Sequence, residues 1–212
     1  MNFRGQDKQL SAQLGMNPNL PVEDEYIGNL QQQIHFMELP FYETGTIKKK
    51  PLGEKDIQIT MDLIAKIKPH QIYAAGDLAD PHGTHKTCLD IVFESVKRLK
   101  HEKYMDDCWV WLYRGAWQEW GMDQIEMAVP MGPDQVLEKR KAIFKHQSQK
   151  DGVVFQGADS REFWQRAEDR NRETADLYHQ LGLSRYAAME AFALMSKTEG
   201  IIPAIETAHA LA

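Results

Sequence analysis

Residues 71–85 read Gln71-Ile72-Tyr73-Ala74-Ala75-Gly76-Asp77-Leu78-Ala79-Asp80-Pro81-His82-Gly83-Thr84-His85. Gln71 to Ala75 is a compact apolar strand, and Gly76-Asp77 opens a loop behind it. A helix is expected from Pro81 through Lys103. Asp80 is a natural N-cap, because its carboxylate can accept from the first unpaired backbone N–H groups, and Pro81 is pre-set for the first helical position. Leu89, Val92, Phe93, Val96 and Leu99 make the core stripe of that helix.

The pattern extends outward in both directions. Upstream, Ile57, Met61, Ile64, Ala65 and Ile67 recur at helical spacing within Glu54 to Lys68, and Pro69 ends that helix. Further upstream, Ile34 to Leu39 reads as a short buried strand stopped by Pro40, and Arg4 to Leu14 as a short helix. Downstream, Cys108 to Tyr113 is a strand and Ile125 to Val129 another. The alternation of strand and helix is the signature of an open α/β sheet with right-handed crossovers. From Pro133 the pattern turns helical: Pro133 to His146, then Ser160 to Leu181, with Ser160 as its N-cap. The apolar face of this last helix is Phe163, Trp164, Ala167, Thr174, Leu177, Tyr178 and Leu181.

The chain has 212 residues, 42% of them hydrophobic, which is enough for a real core and too much for a disordered chain. Lys plus Arg is 25 against 31 for Asp plus Glu, a formal charge of -6, so there is no global pull toward nucleic acid or an anionic membrane. No apolar run is long enough to span a bilayer, and the N-terminus lacks the apolar stretch of a signal peptide. The two cysteines, Cys88 and Cys108, suit a reducing cytosol better than a disulfide framework, so a cytoplasmic location is expected.

His82 and His85 are the residues that look chemical. A helix starting at Pro81 puts them at i, i+3 in one first turn, just past the carboxyl end of a strand, where open α/β sheets keep their sites. Imidazoles placed there can bind zinc, or one can bind metal while the other polarises a carbonyl. The spacing alone has little specificity, and the bland reading is a helix start with two exposed histidines. A zinc site needs three protein ligands. Asp77 and Asp80 are close in sequence, although capping and turn closure account for both.

The run Ala79-Asp80-Pro81-His82-Gly83-Thr84-His85 resembles the second zinc motif of the PIG-L/LmbE-type N-deacetylases. Phe36-Met37-Glu38-Leu39-Pro40 resembles the F-x-x-L-P strand of that family, and Arg4 to Gly15 the helix between its two motifs. The likeness is strongest to the second half of large bacterial glucosamine-6-phosphate deaminase-like proteins, through Leu39 to Gly45, Trp111 to Trp117 and Phe163 to Arg172. The resemblance implies a Rossmann-like fold and zinc-dependent hydrolysis of an N-acetyl amino sugar, with His85 as a zinc ligand. It also implies that His82 steadies the oxyanion or protonates the leaving amine, and it groups Asp80 with these catalytic residues. Arg114 is the candidate substrate contact.

One departure matters. The first motif of the family, H-P-D-D-E, is absent, and no His-Pro dipeptide occurs in the chain. The resemblance then implies that two zinc ligands, the general base and an N-terminal strand are missing, so zinc binding is expected to be weak or absent without the upstream motif. The alternative reading is a catalytically inactive accessory or interaction segment. Glucosamine-6-phosphate deamination is not expected of these residues, because the deaminase half is not among them.

The expected organisation is therefore a truncated PIG-L/LmbE-like domain over residues 1–189 and a helical tail over 190–212. The tail, with Thr198-Glu199-Gly200-Ile201-Ile202-Pro203-Ala204, resembles the C-terminus of the tryptophan synthase beta chain. A pyridoxal phosphate enzyme fragment is the remote alternative, in which Lys86 would be the Schiff-base lysine. Lys86 and Glu199 are too close in sequence for that fold. Expected partners are an amino-sugar substrate, with no nucleic acid and no membrane, and self-association as a homo-oligomer stays open.

Two further groups have bland readings. Trp109, Trp111, Tyr113, Trp117 and Trp120 read as core, with a sugar-stacking wall near Arg114 as the sharper alternative. Arg161, Arg166, Arg170 and Arg172, interleaved with Glu162, Glu168, Asp169 and Glu173, read as a solvated helix face. Lys48-Lys49-Lys50 reads the same way.

Overall fold

The computed structural model describes residues 35–42, 49–76, 83–115, 118–146 and 159–195. The elements run α1 (Glu54–Ile67), β1 (Gln71–Ala75), α2 (Thr84–Leu99), a 3-10 turn (Lys103–Met105), β2 (Trp109–Tyr113), β3 (Met127–Met131), α3 (Pro133–Phe144), α4 (Phe163–Gln180) and β4 (Ala188–Leu194). The sheet order is β1-β2-β4-β3. β1 and β2 are parallel, with Gln71 opposite Trp109 and Ala75 opposite Tyr113. β4 runs antiparallel to both β2 and β3, with Tyr113 opposite Phe192 and Met131 opposite Ala188. This is a mixed, open α/β sheet with flanking helices, as the Rossmann-like reading expects.

Side chains alternate across a strand, so each face of the sheet has its own row. Ala74, Val110, Leu112, Ala191 and Ala193 form the inner row, and Leu89, Val92, Phe93 and Val96 of α2 pack onto it. A second cluster, Ile64, Leu99, Met105 and Cys108, joins α1 and α2 to the start of β2. Asp56 organises the start of α1: its carboxylate accepts from the N–H of Gly53 at 3.0 Å and from the N–H of Phe41 at 2.9 Å. A single buried side chain thus caps the helix and ties down the preceding segment.

The aromatic residues of β2 were expected in the core, and the alternation sends them elsewhere. Trp109 and Tyr113 are exposed on the face opposite the inner row, whereas Trp120 is only 7% exposed. Tyr73 meets Phe192 edge-on across this outer face, with centroids 5.4 Å apart. Trp117 lies outside the described residues.

Several boundaries differ from expectation, each for a local reason. Residues 35–39 are not a strand. Glu38 sits at φ 47, in the left-handed region, and a turn follows in which the N–H of Tyr42 donates to the carbonyl of Leu39 at 3.0 Å. The second helix begins at Thr84, with Gly83 rather than Asp80 as its N-cap, because the chain turns there at φ 67. The strand expected at Ile125 to Val129 lies two residues later, and Ile125 packs against the core instead. Pro130 is tolerated inside β3 because β3 is at the edge of the sheet. α4 begins after Glu162, not Ser160, and the side chain of Gln165 accepts from the N–H of Glu162 at 2.8 Å.

Residues 190–194, expected as part of a helical tail, belong to β4, which runs through the 189/190 boundary. Its Ala188, Met189, Ala191 and Ala193 are buried. Residues 196–212 and the Arg4 to Leu14 helix lie outside the described residues.

α4 keeps part of the expected apolar face, with Ala167 and Thr174 buried, and departs from it elsewhere. Leu181, just past its end, is 69% exposed, and Leu177 is exposed as well, while Arg166, Glu168, Arg170 and Asn171 are buried. The arginine row is therefore split: Arg161 and Arg172 are exposed as expected, whereas Arg166 and Arg170 are buried. Arg166 donates to the backbone carbonyls of Arg161 and Asp159, and Arg140 of α3 pairs with Glu168. Burial of these charges is tolerated because each is paired.

Candidate functional site

The carboxyl ends of the parallel strands β1 and β2 meet at Gly76 and Arg114, where the N–H of Gly76 donates to the carbonyl of Tyr113 at 2.7 Å. Trp120 closes this edge from below. Its indole N–H donates to the carbonyl of Leu112 at 3.1 Å. A Cβ on Gly76 would lie 2.8 Å from the indole of Trp120 and 2.9 Å from Cβ of Leu112, so only glycine allows the ring to sit this close. The guanidinium of Arg114 lies 4.1 Å from the centre of the Trp120 ring, within cation–π distance.

The structure places two of the four expected site residues. Arg114 is half-buried directly after β2, and His85 is exposed at the second position of α2. Asp80 and His82 lie outside the described residues, so the i, i+3 pairing of His82 with His85 is not placed. The described contacts bring Arg114 together with Trp120. Among the described residues, no group of three His, Cys, Asp or Glu side chains could hold a metal ion. Among the same residues, no helix is long and apolar enough to cross a membrane.

Beside Trp120 lies a charged cluster that the sequence reading missed. Glu119 accepts from Arg170 at 3.0 Å and from the backbone N–H of Trp120 at 3.0 Å. The same guanidinium donates to Glu190 of β4 at 2.7 Å. Lys139 of α3 pairs with Glu190 and donates to Asn171 at 2.6 Å. The two carboxylates respond in opposite ways. Burial pushes Glu119 above the usual carboxylate value, against the pull of Arg170 and of the Trp120 N–H. Burial acts on Glu190 too, but Arg170 and Lys139 together outweigh it and hold that group below the usual value. The available signal was the placing of Glu190 among small and apolar strand residues, which only becomes legible once Ala188–Leu194 is read as a strand.

No family model matches the chain. The chain is 57% identical over 162 residues to a glucosamine-6-phosphate deaminase-like protein of Bacteroides thetaiotaomicron, an alignment covering 76% of this chain and 24% of that protein. The chain thus spans about a quarter of the length of the curated relative it matches.

Proposed function

We propose, from the likeness to one stretch of a glucosamine-6-phosphate deaminase-like protein, that this chain handles an amino sugar at the carboxyl edge of β1 and β2. The observation that carries the reading is the Arg114–Trp120 pair at that edge. Amino sugars and their phosphates present many oxygen acceptors, and a guanidinium held over an indole is a source of N–H donors to them.

The finer reading is hydrolysis of an N-acetyl amino sugar, with His85 as a zinc ligand and His82 and Asp80 in catalytic roles. Zinc would supply a polarised carbonyl and an activated water. The described residues do not assemble the three protein ligands such a site needs. No step is therefore assigned through the metal, and the hydrolytic reading rests on the resemblance around His85.

The test is calorimetric titration of the 212-residue chain with N-acetylglucosamine and with glucosamine 6-phosphate, alongside Arg114→Ala. Binding by the unmodified chain, weakened about tenfold or more in the variant through loss of a charge-assisted hydrogen bond, supports the reading. Absence of binding to both sugars overturns it. Acetate release that depends on added zinc and is lost in His85→Ala would support the hydrolytic form. Sugar binding without turnover would favour a non-catalytic binding segment.

A further inference from the structure

We propose that Arg170 is a positioning residue for the candidate sugar site: through Glu119 it fixes the loop that presents Arg114 and Trp120. This rests on the reading of the β1–β2 edge as that site. Residues 118–126 lead into β3, and two consecutive residues hold this stretch in opposite directions. Trp120 goes into the core under Gly76, held by its bond to the carbonyl of Leu112. Glu119 goes toward α4, where Arg170 and Thr174 donate to the same carboxylate oxygen at 3.0 and 3.4 Å.

Arg170 can act as a fixed post because it is itself immobilised. It is 8% exposed, and its other terminal nitrogen is committed to Glu190 in the middle of β4. Glu190 is held in turn by Lys139. The groups facing Glu119 are thus Arg170 and Thr174 from α4 and Glu190 from β4, with Lys139 of α3 behind Glu190. The chain of contacts runs from β4 through Arg170 and Glu119 to the backbone of Trp120, and so to the ring beneath Arg114. Small displacements of a positioned group are costly at a binding site, so this remote clamp governs affinity without touching the sugar.

The test uses indole 15N–1H spectra of the full chain, with Trp120→Phe to identify the Trp120 resonance and N-acetylglucosamine as the probe. In Glu119→Gln and Arg170→Met the Trp120 resonance should shift, and sugar affinity should fall about tenfold. The Trp164 resonance, whose N–H donates to Glu162 at 2.6 Å, should stay in place. Arg170→Lys, which keeps the charge, should restore part of the affinity. It also serves if Arg170→Met does not fold. A Trp120 resonance that is unmoved in Glu119→Gln and in Arg170→Lys would overturn the proposal, as would undiminished affinity in Glu119→Gln. A wild-type chain that ignores N-acetylglucosamine while its variants still shift Trp120 would overturn the amino-sugar reading and leave the clamp standing.

Discussion

Arg170 donates from one terminal nitrogen to Glu119 at 3.0 Å and from the other to Glu190 at 2.7 Å, so a single buried cation serves two carboxylates from different elements. Glu119 belongs to the loop after β2 and Glu190 to the central stretch of β4, which sits between β2 and β3. Removing the cation leaves two partly buried carboxylates facing each other. Arg170→Met should therefore destabilise the fold by about 3–5 kcal/mol, as expected for breaking a buried ion pair on one side. Urea unfolding followed by fluorescence would read the loss. A change below about 1 kcal/mol would mean that water replaces the guanidinium without penalty.

The two carboxylates should also leave opposite marks on the pH dependence of stability. Glu190 is held below its ordinary value of 4.5, so its contribution is present at neutral pH and is lost as pH falls through the folded value. Glu119 is held above the same ordinary value, so the folded state favours its protonated form. Stability from this group is lost as pH rises through the raised value. Over the range from about pH 3 to neutrality, Glu119→Gln should make the gain in stability above pH 4.5 larger than in the wild type, and Glu190→Gln should make the loss of stability on acidification below pH 4.5 smaller. Unfolding free energies measured across that range decide it, and parallel profiles for the two variants would contradict the assignment.

The sheet was legible wherever apolar periodicity and a breaker coincided. Ile57 to Ile67 before Pro69, Leu89 to Leu99, and the strands at Gln71 and Trp109 all formed as their patterns imply. β4 was missed because its small residues, Ala188, Ala191 and Ala193, carry no strand preference of their own. They are buried by the neighbours that close over them. Arg166, Glu168 and Arg170 were read as solvated because charge at helical spacing looks the same whether it faces water or a complementary charge. Arg114 was picked out from the sequence, but its partner was not. The Trp120 contact depends on the loop folding back under Gly76, which no local pattern encodes.

Gly76 is a sharp check on that fold-back. Its missing side chain is what lets the Trp120 ring and Leu112 close within 3 Å of where a Cβ would stand. Leu112 is buried in the core and cannot yield cheaply. Gly76→Ala should cost about 1–3 kcal/mol, the usual range for overpacking, and should alter the environment of the Trp120 indole. Near-ultraviolet circular dichroism and urea unfolding would show both effects. An unchanged spectrum with unchanged stability would place Trp120 elsewhere.

Gly83 tests where the helix carrying His85 begins. It occupies φ 67, and its carbonyl accepts both the backbone N–H of Thr87 at 3.0 Å and the hydroxyl of the same residue at 2.8 Å. A Cβ there would meet nothing within 4 Å, so any cost of substitution comes from the backbone conformation alone. Gly83→Ala should therefore destabilise by about 1–2 kcal/mol, the penalty for an ordinary residue in the left-handed region. Asn visits that region more readily than Ala, so Gly83→Asn should retain more of the wild-type stability. A helix starting at Pro81 would put residue 83 inside a right-handed turn, where alanine is favoured over glycine by about 1 kcal/mol. Alanine stabilising the chain would thus move the helix start back to Pro81. The order glycine, asparagine, alanine in falling stability would fix it at Thr84, with His85 in the first turn.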